Sequence, residues 1–387
     1  MPRISTTMLA AALAGASGLA VAAPLDPETQ FYRPGPGAIA DAIDHVEALR
    51  AEGREDAAGK VEAMIRQPMA VWLTQGTPGE VRAQVEQVMS AARSRGEVPI
   101  LAAYNIPFRD CAQYSAGGAT SVEQYNAWID AIAEGVGDGE ALVILEPDGL
   151  AIIPHATTSK GELDWCQPGE GDPETAEAER YEMTKYAVAR LKENEGTRVY
   201  LDGGHADWHA PDEISYRMLK ADIDKADGFF VNVSNYVETE RSIAHAERVA
   251  KCVFHGLNGG DTNECTNDDA FYAEAVDPLI AEKGGEGLPR FVVDTSRNGN
   301  GVWQATAEYP DAQVWCNPPG RALGQPATTD TGSELADAYV WVKIPGESDG
   351  ECSRGLTDAD GVDPEWGIKD PAAGQWFREQ VETLVGG

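Results

Sequence analysis

From residue 38 onward the chain alternates between short apolar runs and longer amphipathic stretches. Seven runs are apolar almost throughout: Ala70 to Thr74 (AVWLT), Val98 to Tyr104 (VPILAAY), Leu142 to Glu146 (LVILE), Arg198 to Asp202 (RVYLD), Gly228 to Val233 (GFFVNV), Arg290 to Asp294 (RFVVD) and Tyr339 to Lys343 (YVWVK). Stretches with helical spacing lie between them, such as Pro78 to Arg95 and Glu174 to Gly196. A strand with one wet face alternates apolar and polar residues, whereas one apolar at every position is covered on both faces. Such strands separated by helices imply an α/β fold with a parallel sheet. Seven units without an intervening linker, repeat or second module predict barrel-like closure of one domain rather than two domains.

Parallel α/β folds bind ligands at the C-terminal ends of their strands. The second run is followed by NIPFRDC, the third by PDGLA, the fourth by GGHADW, the fifth by SNY, the sixth by TSRNGNG and the seventh by IPGESDGEC. Surface loops are polar in any case. They do not require what is found here: Asp110, Asp148, Asp202, Asp294 and Asp349, one near the end of each of five separate runs.

Composition narrows the partners. There are 64 acidic and 30 basic residues, a net charge of −34. A polyanion is repelled by phosphate backbones and anionic lipid, so nucleic acid and membrane surfaces are excluded as partners. The acidity fits a surface suited to high salt and equally fits plain solubility. Arg3, the apolar stretch Met8 to Ala23 and its small-residue end read residues 1–23 as a Sec-type signal peptide and the protein as secreted. That stretch is short and rich in Ala and Gly for a membrane anchor, and no later segment offers about 18 continuous apolar residues. Residues 24–37 read as a short linker and residues 38–387 as the functional domain. The cysteines are Cys111, Cys166, Cys252, Cys265, Cys316 and Cys352. An even number in an oxidising compartment suggests disulfides, with about 15 complete pairings open.

Several aspartates around one barrel mouth suit a hard-metal site, nucleophilic catalysis or glycoside hydrolysis. With six histidines and no H-x-H or H-E-x-x-H, a metal site is not expected. No C-x-x-C suggests zinc, and no G-x-G-x-x-G follows the first run to bind a dinucleotide. Sugar chemistry gains support from Trp72, Trp208, Trp303, Trp315 and Trp366, since flat rings with a polar edge suit pyranose faces. Each could equally be packing. Asn232, His205, Arg297, Asn298, Lys343 and Glu347 could bond sugar hydroxyls or stabilise their own loops.

Seven stretches, AYNIPFRDC, LVILEPDGLA, YLDGGHADW, GFFVNVSNY, FVVDTSRNGNG, WCNPPGRALG and WVKIPGESDGEC, occur in the order in which glycoside hydrolase family 6, the inverting cellulases, carries them. The resemblance covers roughly residues 35 to 385. It implies a distorted seven-stranded parallel β/α barrel, TIM-like, acting on cellulose or soluble β-1,4-glucan chains as a monomer without cofactor. By motif, Asp148 matches the general acid, Asp110 the aspartate that keeps it protonated and steers water, Asp349 the candidate base and Asp202 a supporting acid. Two nearby carboxyls resist double ionisation, so one stays protonated near neutral pH. Tyr104 matches the tyrosine beneath a distorted sugar. His205, Trp208, Asn232, Trp315, Lys343, Glu347 and Trp72 match substrate positions. The family's water-positioning serine is Ala116 here, with Ser115 just before it taken for that role. The resemblance implies Cys111–Cys166 and Cys316–Cys352 and leaves Cys252 and Cys265 to each other.

Two loops separate open clefts from roofed tunnels in this family. The first, Cys111 to Tyr125, is short. Cys352 follows Asp349 by three residues, also a compact form, although Ser353 to Trp376 is long enough to cover one end. The expectation is an endo-1,4-β-glucanase. The alternatives are a processive cellobiohydrolase and an inactive β-glucan-binding protein on the same fold.

Overall fold

The computed structural model describes residues 23–356 and 360–386; all of the expected signal peptide but Ala23 lies outside them. A strand overlaps each of the seven runs: β1 (Val71–Leu73), β2 (Ile100–Ala103), β3 (Ala141–Leu145), β4 (Thr197–Asp202), β5 (Gly228–Val231), β6 (Arg290–Asp294) and β7 (Ala336–Val340). They pair in chain order, every pair parallel. Alternate residues face opposite sides. Ile100, Ala102, Leu142, Ile144, Tyr200, Phe230, Val292, Ala338 and Val340 fill the inside of the curl. Leu101, Ala103, Val143, Leu145, Val199, Leu201, Phe229, Val231 and Val293 face the surrounding helices. That double burial is why the runs carry no alternation.

The sheet is a curled half-barrel rather than a closed one. Among the described residues β1 and β7 share no ladder. Two bonds cross the seam instead: Ala70 N–H to the Trp341 carbonyl at 2.9 Å, and Trp72 Nε1–H to the Val342 carbonyl at 2.8 Å. The last strand starts three residues before the apolar run predicted for it, and Trp341 to Lys343 have already left the ladder. Asp337 hid the start. Its carboxylate is taken by Arg290 Nε at 2.5 Å and Tyr200 Oη at 2.8 Å, so a buried acid is accommodated inside the strand.

Within residues 24–37, expected as a short linker, Phe31 and Tyr32 pack on the body. Phe31 is 5% exposed and seated among the inward strand residues. Val98 N–H donates to the Gln30 carbonyl at 2.7 Å and Tyr32 N–H to the Val98 carbonyl at 2.9 Å, a short parallel bridge beside the approach to β2. Two aromatics in a proline-rich stretch carried too little periodicity to show this. The helix Pro78–Arg95 keeps its predicted bounds: Thr77 and Glu80 form a capping box at its start, and Gly96 ends it at φ 63°. The other quoted helix is Ala176–Leu191, shorter than its pattern at both ends; Lys192 caps its end, with its ammonium on Asp227 at 2.7 Å. No helix of the described residues is long and apolar enough to cross a membrane.

Three disulfides join Cys111 to Cys166, Cys252 to Cys265 and Cys316 to Cys352. The first ties the residue after Asp110 to the loop after β3. The third joins the Trp315 loop to the Asp349 loop.

Candidate active site

β3 ends in Glu146-Pro147-Asp148, and the two acids diverge at once. Both have left-handed backbone, φ 53° and 66°, a strained state for residues with a Cβ. Glu146 turns inward. It is 2% exposed and accepts from Asn105 N–H at 2.9 Å and Ile106 N–H at 3.0 Å, pinning the exit of β2 to that of β3. Burial pushes its carboxyl up to about 7, against those N–H groups and the Arg180 charge. Asp148 points into the mouth. Its side-chain partner is the Tyr104 hydroxyl, 3.4 Å from Oδ2. Burial first, then the charges of Asp202 and Asp110, hold its carboxyl well above the ordinary range.

Asp202, at the end of β4, lies behind the cavity rather than on its wall. Three backbone N–H groups donate to it: Leu150 at 3.1 Å, Ala151 at 2.8 Å and Gly204 at 2.9 Å. Its carboxyl is raised by burial, but these donors favour the ionised form, which Asp148 lacks the partners to match. In this coupled pair Asp202 keeps the charge and Asp148 the proton. Asp202 therefore biases Asp148 toward its protonated form from behind the cavity wall.

Asp110 follows Arg109 in another left-handed turn, with φ 59° at Asp110 and 44° at Cys111. Ser115 N–H donates to its Oδ2 at 2.6 Å. Burial raises its carboxyl to about 6, against this donor and the Arg109 charge. The backbone N–H of Ser115 thus orients Asp110, and Ser115 also lines the cavity.

Asp349 is held in the opposite way. Arg297 reaches both its oxygens at 3.0 Å, Lys343 Nζ lies 3.3 Å from Oδ1, and Asn317 N–H (3.0 Å) and Tyr236 Oη (3.2 Å) donate to Oδ2. Burial alone would raise its carboxyl; the Arg297 and Lys343 charges and these bonds overcome that and leave it below the ordinary value. Its floor is a second buried acid pair. Asn317 Oδ1 accepts from Asp349 N–H at 2.8 Å, and its Nδ2 donates to Asp370 at 2.8 Å. Burial raises Asp370 to about 7 beside Asp363, which pairs with Arg354 at 2.7 Å. The carboxylates of Asp363 and Asp370 approach the Cys352 sulfur closely enough to suggest a metal site. That sulfur is committed to the disulfide and Arg354 already neutralises Asp363, so the donor set does not fit a cation.

The cavity of about 740 Å³ at the mouth is lined by Asp148, Asp110, Asp349 and Tyr104, and by Trp72, Ser115, His205, Trp208, Trp315, Lys343 and Glu347. Trp72 meets the Tyr104 ring edge-on at 5.5 Å, and Trp208 stacks on His209 at 5.2 Å. Burial lowers His205 to about 4, so its imidazole is neutral at ordinary pH. Lys343 is anchored by donating to the Ser348 carbonyl at 3.1 Å. Glu347 is raised by burial against the Lys343 and Arg297 charges.

Other expected contacts are absent from the cavity wall. Asn232 is wholly buried, its amide donating to the Val237 and Asp294 carbonyls and accepting from Val237 N–H, so it shapes the turn after β5 and has nothing left for a sugar. Asp294 accepts from Ser234, Ser296 and Lys343 N–H groups and ties three strand ends together. Arg297 serves Asp349, and Asn298 donates to Val237 O and Thr239 Oγ1. Trp303 lies under Arg354, and Trp366 packs on Phe377 while donating to Asn317 O. Gly346 to Gly350 has G-x-S-x-G spacing, the mark of a serine nucleophile elbow. Ser348 is fully buried and donates to the Pro371 carbonyl at 2.7 Å, with no imidazole among its partners, so it is structural. Conversely, Trp165 lines the cavity from a polar, glycine-containing loop in which no periodicity marked it.

Carboxyls with opposed proton affinities, gathered with tryptophans at the mouth of a parallel β/α barrel, are the equipment of a glycoside hydrolase. Comparison with known proteins specifies which. The chain belongs to glycosyl hydrolases family 6, whose model matches residues 29–387. It is 34% identical over 357 residues to endoglucanase A of Cellulomonas fimi, covering 92% of this chain and 59% of that protein. Over 268 residues it is 34% identical to endoglucanase A of Thermobispora bispora, covering 68% of this chain and 47% of that one. The chain thus spans about half to three-fifths of the length of these relatives. The structure of a Mycobacterium tuberculosis endoglucanase complexed with methyl-cellobiosyl-4-deoxy-4-thio-β-D-cellobioside superposes with a TM-score of 0.67 at 31% identity, covering 92% of this chain and 96% of that one.

Proposed function

We propose that this protein is a secreted endo-1,4-β-glucanase that cleaves internal bonds of cellulose or soluble β-1,4-glucan with inversion. The observation that carries the reading is the division of proton affinity among three acids on one cavity. Asp148 has a hydroxyl partner and, among the described residues, no cation, and stays protonated to give its proton to the leaving oxygen. Tyr104 beside it sits where a distorted sugar ring would rest. Asp349, with both oxygens occupied by donors, is a fixed negative charge toward the cation-like ring rather than a proton acceptor. Among the described residues one Asp110 oxygen has no donor, and its carboxyl stands at about 6, the value suited to accepting a proton from water near neutrality. We therefore assign the base role to Asp110, acting on the water directly or through one further water. Trp72, Trp208 and Trp315 offer faces for sugar rings, and Lys343 and Glu347 offer charged groups for hydroxyls.

The long Ser353 to Trp376 segment bears on endo action. Its described residues are held to one another by the Arg354–Asp363 pair and an Asp363–Ile368 bridge, and to the body by Arg354 donating to the Gln313 carbonyl, Trp366 Nε1 donating to the Asn317 carbonyl and a Glu347–Trp376 bridge, and only Ala373 and Gly374 reach the cavity wall. That supports an open cleft. Export is supported by the three disulfides, which persist in oxidising compartments.

Viscosity of soluble carboxymethylcellulose, followed against reducing ends, tests the mode. A rapid fall in viscosity at low bond cleavage is expected. Release of cellobiose with viscosity maintained would instead make the protein a processive cellobiohydrolase. Asp148→Ala should abolish hydrolysis and keep oligosaccharide binding; a wild type that binds without cleaving would make it a binding protein.

A further inference from the structure

The tryptophans nearest the strand ends are engaged with the protein: Trp72 through its Nε1 bond, Trp208 through its stack on His209, Trp315 through Tyr114 at 5.9 Å. Trp165 differs. It lines the same cavity, on the side of the loop after β3, yet is 48% exposed. Among the described residues its indole has no aromatic neighbour and no hydrogen-bond partner. A lone exposed apolar residue is unremarkable on a free surface.

The backbone beneath Trp165 is anything but free. Asp164 accepts from Arg217, 1% exposed, at 2.7 Å, and Arg217 also donates to the Leu150 and Ala151 carbonyls, the loop that follows the Asp148 turn. Asp164 N–H donates to the Ala156 carbonyl, and the Cys166 carbonyl accepts from His155 N–H. Cys166 is bonded to Cys111, next to Asp110. Both neighbours of Trp165 are thus bound to the two loops that carry the proposed acid and base. The backbone that carries this large flat ring is tied to the loops of the reacting centre, and the ring itself is left half open to water on the cavity wall.

We infer that Trp165 is a further stacking platform for a glucosyl unit, at the rim of the cleft on the β3 side, which favours chains long enough to extend from the cleavage point to the rim. The apolar face of a pyranose covers the indole and releases the water now on it. The inference rests on the β-1,4-glucan reading above and adds a length preference to it.

The experiment compares wild type, Trp165→Ala and Trp165→Phe on cellotetraose and cellohexaose. Because the ring is half exposed, all three should melt at the same temperature. The expected result is that Trp165→Ala lowers kcat/KM for cellohexaose about tenfold, the loss of one stacked aromatic face, while cellotetraose changes less than twofold and Trp165→Phe recovers most of the loss. Calorimetric titration in an Asp148→Asn background should show the same fall in affinity for cellohexaose alone. Equal losses on both oligosaccharides, or none on either, would overturn the platform. A wild type that cleaves neither oligosaccharide would instead overturn the glucan reading on which the platform depends.

Discussion

Replacing Asp110 by asparagine should make the protein more stable and nearly inactive at once. The amide keeps an oxygen for the Ser115 N–H and removes only the charge. Asp110 has its carboxyl at about 6 against an ordinary 3.8, which at 1.36 kcal/mol per pH unit is about 3 kcal/mol. The folded value lies above the unfolded one. The stability contributed by the protonated form is therefore complete below pH 3.8 and is lost as pH rises through about 6. At pH 8 the wild type carries that cost and Asp110→Asn does not. Spread over 387 residues, at about 2.1 cal/mol/K per residue, the gain is about 4 °C in melting temperature. At pH 4 the gain should vanish. The rate should fall about 10²- to 10⁴-fold with loss of the base, and the acidic limb of the pH–rate profile, expected near pH 6, should disappear. Removing a like charge near Asp148 should also move the alkaline limb to lower pH. Calorimetry at pH 4 and 8, with kcat/KM measured across the same range, decides it. A variant that melts lower at pH 8, or one that keeps wild-type rate and an unchanged acidic limb, would refute the assignment.

Asp148→Asn should slow cellohexaose hydrolysis about 10²- to 10⁴-fold but slow a dinitrophenyl cellobioside far less, since that leaving group departs without a proton; equal losses on both would remove Asp148 from the acid role. Asp370 is raised to about 7 by burial beside Asp363, so its contribution to stability is complete below its unfolded value and lost as pH rises through about 7. Asp370→Asn should accordingly melt above wild type at pH 8 and level with it at pH 4, and a variant less stable at both would show that Asp370 acts as an anion. Opening Cys111–Cys166 by a double Ser substitution releases a separation of 55 residues, worth about 4 kcal/mol by loop entropy; guanidinium unfolding should show it, and an unchanged midpoint would show that the disulfide is not a stabilising tie.

The sheet was readable because seven buried strands cannot hide their continuous apolar character; Leu142 to Leu145 needs no partner to be recognised. The exceptions were local. Asp337 broke the start of β7, and Phe31 and Tyr32 docked a stretch whose prolines suggested a linker. The site was readable as a set of residues and not as a division of labour. Asp110, Asp148, Asp202, Asp294 and Asp349 all follow an apolar run and look alike in one dimension. Their roles depend on what each meets in space: three N–H groups for Asp202 and for Asp294, Arg297 and Asn317 for Asp349, a lone tyrosine hydroxyl for Asp148. Asn232 resembled a ligand contact for the same reason, and only its bonds to Val237 and Asp294 show it to be spent. Trp165 lay outside every run, in a loop whose position is fixed by Arg217 and by a disulfide to a residue 55 positions away.

The central claim is direct displacement by water with Asp148 as proton donor, and the anomer released from cellohexaose tests it most directly. Proton NMR during the first minutes, before mutarotation, should show the new reducing end as the α-anomer in the wild type and no product from Asp148→Ala. A β-anomer formed first would mean a covalent intermediate and two displacements, and would contradict the account.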